Sequence, residues 1–265
     1  MKRVLFTVLI AFTATFLYAN TYQDTTKRPV DSTAKKDNDF SLDYSLPNHN
    51  HTYHRSYYPK WSIGITFSRF DLGYATLIDN GSFTLSPQNQ FLRYNQAKTS
   101  NVGFDLIQAG VRLSSTFKIY VSGGIDWTHI RLRDNITILP NQPVLTYRPD
   151  TIVYSKNRFS STYLRIPLSF DFRTRANAGG RWFHFVFGPE GGFLLDGRVK
   201  QISQENGKQK IDDTYHYATF RYGAFGRVGY GIFGLFAKYY FNDMFEDSPQ
   251  QAGLKNFSFG LMVGF

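Results

Sequence analysis

The chain contains no cysteine, which excludes disulfide staples, thiolate metal sites, a cysteine nucleophile and a lipid-modified N-terminal cysteine. Charge is sparse: 19% of residues are Asp, Glu, Lys or Arg, against about a quarter in an ordinary soluble domain. Long apolar runs are missing too. Val4–Tyr18 falls short of the ~20 residues a membrane-crossing helix needs, and nothing after it is longer or more apolar. A helix-based membrane protein is therefore excluded. Ten prolines and 22 glycines are too few for a collagen-like or low-complexity chain. No G-x-S-x-G, H-E-x-x-H, P-loop or dinucleotide fingerprint occurs.

What the chain has is aromatic residues. They make up 18% of it, with 26 Phe and 18 Tyr, too many for a disordered chain. Phe, Tyr and Gly also displace the Ala, Leu, Glu and Lys of a helical bundle. Mean hydropathy is only −0.33, as expected where apolar and polar residues alternate along strands. At the start, Lys2 and Arg3 precede the apolar run and Ala19 offers a small residue for cleavage, so residues 1–19 are predicted to be a signal peptide. Residues 20–60 are rich in Asp, Ser, Thr and Asn without a period, and read as a disordered periplasmic extension. His49, His51 and His54 lie in it. Three imidazoles invite a metal, but with no fourth ligand nearby a solvated turn after Pro47 accounts for them as well.

From Trp61 onward the period is two. Eight segments alternate: 61–70, 102–114, 117–132, 161–173, 182–193, 219–229, 231–241 and 257–265. In 161–173, Leu164, Ile166, Leu168, Phe170 and Phe172 share one face, and Arg165, Ser169 and Asp171 lie on the other. A β-sandwich also alternates. Here, though, one face is continuously large and apolar, and the opposite face is small, charged and glycine-rich. That is the pattern of a small barrel with lipid outside and a crowded interior. Pro167 and Pro189 fall inside strands and each removes a ladder donor, so a bulge or local break is expected at each. The glycine-rich stretch 188–192 reads as a bend rather than a phosphate loop.

Connections alternate between short (115–116, 174–181 and Tyr230) and long (71–101, 133–160, 194–218 and 242–256). Outer-membrane barrels keep short turns on the periplasmic side and long loops outside. A pI of 9.6 raises nucleic acid as a partner, but the four long connections sum to no net charge and much of the surplus lies on the inward strand faces. Arg112, Arg165, Arg221, Arg227 and Lys238 have Asp126, Asp171 and Glu190 available as partners inside. These eight residues form the candidate site. One reading is a structural plug of ion pairs and the other a selective anion path, for which eight strands leave little room. His129, His184 and His216 could serve a lipid hydrolase, but spacing alone assembles no Ser–His–acid set.

Residues 161–173 (STYLRIPLSFDFR) resemble the YLxIPL strand of the PorT-like outer-membrane barrels of the Bacteroidota. In the expected order, 185–195 (FVFGPEGGFLL), 222–229 (YGAFGRVG) and 238–245 (KYYFNDMF) are similar to later strands of that family, and Phe265 is an aromatic end common among outer-membrane barrels. The resemblance covers roughly residues 61–265. It implies an all-β, eight-stranded, antiparallel up-and-down barrel inserted by the barrel-assembly machinery. PorT itself is associated with type IX secretion and gliding, but no residue here carries that role over. The sequence thus predicts a non-enzymatic outer-membrane barrel with periplasmic termini, no cofactor, no metal and no catalytic residues. Its partners would be outer-membrane lipid and an envelope or secretion protein, with no nucleic acid. The alternatives are adhesion through the loops, a narrow pore or lipid-active enzyme, and a soluble calycin-like barrel.

Overall fold

The computed structural model describes residues 58–65, 69–174 and 182–264. The expected signal peptide, nearly all of the polar extension and His49, His51 and His54 lie outside these residues, as do Arg175 and Arg181 in the turn. Twelve strands form in chain order: β1 Lys60–Ile65, β2 Phe70–Asp79, β3 Ser100–Arg112, β4 Phe117–Arg131, β5 Ile136–Ile138, β6 Tyr147–Pro149, β7 Lys156–Arg173, β8 Phe183–Ser203, β9 Gly207–Asp213, β10 Phe220–Tyr230, β11 Phe233–Tyr240 and β12 Leu254–Val263. Pairing runs β3–β2–β12–β11–β10–β8–β7–β4 and closes through β3–β4, all antiparallel. Eight strands therefore make a ring. β1 pairs with the lower half of β3 and β2 with its upper half.

All eight alternating segments lie on ring strands, with some corrections to their bounds. The first continues past Phe70 to Asp79, so the connection expected from Asp71 starts at Asn80. β7 begins at Lys156 and β8 runs to Ser203. The connection expected at 194–218 is mostly a β8–β9 hairpin that rises above the barrel wall. Turning its tip requires a left-handed residue, which Gly207 supplies at φ +61°. Neither proline causes a register shift. The β4–β7 ladder is interrupted between Val121↔Leu168 and Gly124↔Arg165, beside Pro167, and the β7–β8 ladder between Pro167↔Glu190 and Phe170↔Phe187, beside Pro189. The bulges sit instead at Asp105/Ile107 and Thr162/Tyr163. Within the glycine-rich stretch, Gly188 has no room for a side chain because the Leu168 carbonyl passes directly over it.

The apolar face points outward. Ile63 is 72% exposed, Leu261 64% and Phe187 53%. Such exposure would be costly in water and is natural against hydrocarbon. One outward row from Phe117 to Trp127 covers ten residue steps, which at ~3.4 Å each and a ~40° tilt span ~26 Å. That matches the ~25 Å apolar band of membrane barrels. Aromatic pairs flank the band: Phe117–Phe172 (4.5 Å) and Phe183–Tyr230 (4.9 Å) at the short-turn end, Phe104–Trp127 (5.4 Å) and Phe193–Phe220 (5.1 Å) at the other.

The long loops do not project separately. Leu77, Leu92, Ile130, Ile138, Phe159, Val199, Tyr217, Phe245 and Leu254 bury one another in a single apolar core above the barrel. Phe159 lies at its centre, 4.7 Å from Tyr217 and 5.4 Å edge-on to Tyr215. Hydrogen bonds tie one loop to the next. Leu145 N donates to Ser248 Oγ (3.1 Å), Asn141 N to Asp213 Oδ2 (2.8 Å), and Asn80 N to the Gly253 carbonyl (3.0 Å). Arg93 pairs with Asp134 at 2.8 Å. The four long connections thus fold into one cap.

Candidate functional site

The inward face of each strand delivers polar side chains to the middle of the lumen. Arg165, from β7, is fully buried and forms the hub. Its guanidinium lies 2.6 Å from Asp71 Oδ2 on β2, 2.6 Å from Asp105 Oδ1 on β3 and 3.8 Å from Asp126 Oδ1 on β4. Asp126 also receives Arg221 Nη2 (2.6 Å), Lys238 Nζ (3.0 Å) and Asn101 Nδ2 (3.0 Å). Asp71 in turn meets Lys238 Nζ at 2.9 Å and Arg227 Nη2 at 3.4 Å. Asp105 accepts from Arg69 Nη1 (2.9 Å) and Ser122 Oγ (3.1 Å).

Aromatic rings hold the cations from the sides. The Arg221 guanidinium is sandwiched between Tyr163, at 3.8 Å, and Tyr240, at 4.1 Å. Tyr240 donates to Glu190 Oε1 at 2.6 Å, which places a fourth carboxylate beside the same arginine. Arg69 lies 4.8 Å over Tyr120. Small residues leave the space. A Cβ at Gly103 would sit 2.7 Å from Arg165 Nη1, and one at Gly192 would sit 3.1 Å from Arg221 Nε.

Of the eight residues expected to form this network, the structure brings Asp126, Arg165, Arg221, Arg227 and Lys238 together, with Glu190 joined through Tyr240. Asp171 is not among them. It pairs with His184 at 3.1 Å nearer the short-turn end. Arg112 is the last residue of β3, opposite Lys60 and Lys118, again at the short-turn end. Sequence reasoning missed Arg69, Asp71 and Asp105. The sequence reading puts Asp71 in the 71–101 connection, whereas it lies on β2. Asp105 has the opposite parity to Gln108 and Arg112 because the Asp105/Ile107 bulge inverts the alternation.

Five cations and four carboxylates from seven of the eight ring strands therefore meet in the lumen. Buried charges are tolerated only when paired, and these pair with one another across the barrel. A cavity of about 20 Å³ lies against Tyr163, Arg221 and Tyr240, room for one water. Below the cluster, Tyr120, Val186 and Phe225 fill the interior, and above it the cap closes the other end. Along the described lumen the charge cluster thus lies between the Tyr120–Val186–Phe225 group and the core of the cap.

The three described histidines are far apart in role. His184 pairs with Asp171, His216 Nε2 meets the Gln142 carbonyl at 2.7 Å in the cap, and His129 faces outward on β4 opposite Ser160. Among the described residues no group of three or more His, Asp or Glu is arranged to hold a metal. No described helix is long and apolar enough to cross a membrane, which leaves the strands as the crossing elements. In the cap, Asp150 accepts from Tyr154 at 2.8 Å and from Thr137 and Arg148. Burial alone would raise this carboxyl, but these donors hold it below its ordinary value.

No curated protein and no solved structure matches the chain. A family model described as an outer membrane protein beta-barrel domain matches residues 80–246, which run from the first long connection into the last. A closed eight-stranded ring with a lipid-suited exterior, together with that match, places the chain in the outer membrane protein beta-barrel domain family, as an integral barrel of the outer membrane.

Proposed function

We propose that the protein is a non-enzymatic barrel that seals its own lumen and serves as a structural or accessory element of the envelope or of secretion. In this reading the folded cap faces the cell exterior and both termini face the periplasm. The carrying observation is the cross-lumen cluster around Arg165, which fills the space an ion path would need. The separation of short turns from long connections supports the orientation. Insertion by the barrel-assembly machinery and kinship with PorT-like barrels belong to the same reading, supported by the strand resemblances given above. Nucleic acid has no place in it.

Deletion of the gene tests the role. A sealed envelope element, when lost, should sensitise cells to detergents and large antibiotics and leave uptake of small solutes unchanged. Reduced solute uptake with intact detergent resistance would instead assign a pore. A second reading, binding through the loops, is favoured by Phe83 and Val153, which stand 67% and 68% exposed on the cap. Replacing both with Ser should abolish cell-surface binding if that reading holds, with the barrel still folding.

A further inference from the structure

Above the apolar band, the outward face of the wall changes character within a few residues. The row Ile125, Leu164, Phe193 and Phe220 is apolar. Trp127, Thr162 and Asp196 follow, then His129, Ser160, Arg198 and Asp212. The next row is Arg131, Arg158, Lys200 and Lys210, one directly opposite the next across β4, β7, β8 and β9. One row higher, Lys156 and Lys208 flank Ile202.

Seven cations thus share one face, and the acids on it are Asp196 and Asp212, both bound to Arg198. Among the described residues, Lys156, Arg158, Lys200, Lys208 and Lys210 have no carboxylate partner. Among the same residues, the Arg131 side chain donates to the Ser155 carbonyl and meets no carboxylate. Like charges directly opposite each other, with Cβ atoms ~5 Å apart, oppose strand pairing. Lysines on exposed edges discourage aggregation, which accounts for Lys208 and Lys210 on β9. It does not account for Arg131 and Arg158, which lie on strands paired on both sides. Arg158 Nε and His129 Nδ1 are also buried without a hydrogen-bond partner among the described residues.

Height identifies the occupant. From Trp127 to Arg131 is four residues, ~14 Å along a strand tilted by ~40°, or ~10 Å above the apolar edge. That is the outer rim of the headgroup layer, into which Lys and Arg side chains of this length reach back. We propose that this ladder binds the phosphates of the glycolipid headgroup in the outer leaflet, with the acyl chains lying on the apolar face directly below. The leaflet assignment rests on the orientation proposed above; the phosphate chemistry does not.

The test uses the full folded protein in dodecyl maltoside, with bisphosphorylated lipid A as the probe. Dephosphorylated lipid A and phosphatidylglycerol are the comparators, and native mass spectrometry is the readout. Wild type should bind bisphosphorylated lipid A at least tenfold more tightly than either comparator, and more weakly as salt rises. The R131Q/R158Q/K200Q/K210Q variant should lose that preference, whereas K60Q/K118Q at the short-turn end should keep it. If the quadruple variant fails to fold, K200E/K210E, on the hairpin above the barrel, carries the same expectation. Equal affinity of wild type and variants, or equal affinity for phosphatidylglycerol, would overturn the proposal. Capture of poly-glutamate without lipid A affinity would overturn it in favour of an acidic protein. Glu205→Cys, at the exposed tip of the β8–β9 hairpin in this cysteine-free chain, tests the orientation separately: an impermeant maleimide should label it on intact cells. Labelling only after permeabilisation would refute the outer-leaflet assignment whatever the lipid A result.

Discussion

Asp71→Asn removes the carboxylate on which three lumen cations converge: Arg165 at 2.6 Å, Lys238 at 2.9 Å and Arg227 at 3.4 Å. The shape is conserved and only the charge is lost. The cluster then holds five cations against three carboxylates, with an excess of two positive charges away from water. Breaking a buried pair by removing one partner costs ~3–5 kcal/mol, a factor of ~10²–10³ or more in the unfolding equilibrium. Arg165→Met leaves four cations against four carboxylates. Asp71 keeps Lys238 and Arg227, Asp105 keeps Arg69, and Asp126 keeps Arg221 and Lys238. Its cost should fall at the lower end of the same range. The double variant regains the original excess of one positive charge, so it should cost less than the sum of the singles by ~0.5–3 kcal/mol. Urea titration of the folded barrel in lipid vesicles, followed by tryptophan emission, measures all three. A D71N cost below about 1 kcal/mol, or strict additivity, would refute the view that these charges act as one network.

Other outcomes follow from the same structure. Gly103→Val should destabilise the barrel by ~1–3 kcal/mol through overpacking, since even a Cβ there meets Arg165 and Asp126, whereas Gly226→Ala, with nothing within 4 Å, should be neutral in the same titration. Phe159→Ala opens the cap core at a cost of ~3–5 kcal/mol; protease should then cut the long connections while the ring strands stay protected. The Asp150 carboxyl is held below its ordinary 3.8, so the stabilisation it gives is complete above that value and is lost as pH falls through the lower folded value. Limited proteolysis of the β5–β6 hairpin should therefore accelerate on acidification below pH ~4, and Asp150→Asn should be cut faster at neutral pH with a flatter acid response.

Strand parity was legible wherever a strand was regular. Arg165 and Asp126 fall on the inward face of clean alternations, and the apolar face was read correctly as lipid-facing. Irregularity hid the rest. At the Asp105/Ile107 bulge the alternation inverts, which concealed Asp105. Arg69 and Asp71 flank Phe70, the first residue of β2, which is also where the alternation that starts at Trp61 ends in the sequence. Parity also assigns a face but not a height. Asp171 lies six residues along β7 from Arg165, ~20 Å away, too far to join the same cluster. Net charge misled in another way. The connection containing the β8–β9 hairpin sums to zero, yet pairing with β7 lines up Lys200 and Lys210 with Arg158 on one face. The cap core could not be foreseen, because it joins residues from all four long connections.

The most direct test of a self-sealed barrel is single-channel recording in planar lipid bilayers with the folded protein. The account expects no stable conductance steps from wild type at any applied voltage that the bilayer tolerates. A steady open channel of wild-type protein, unchanged by R165M, would contradict it.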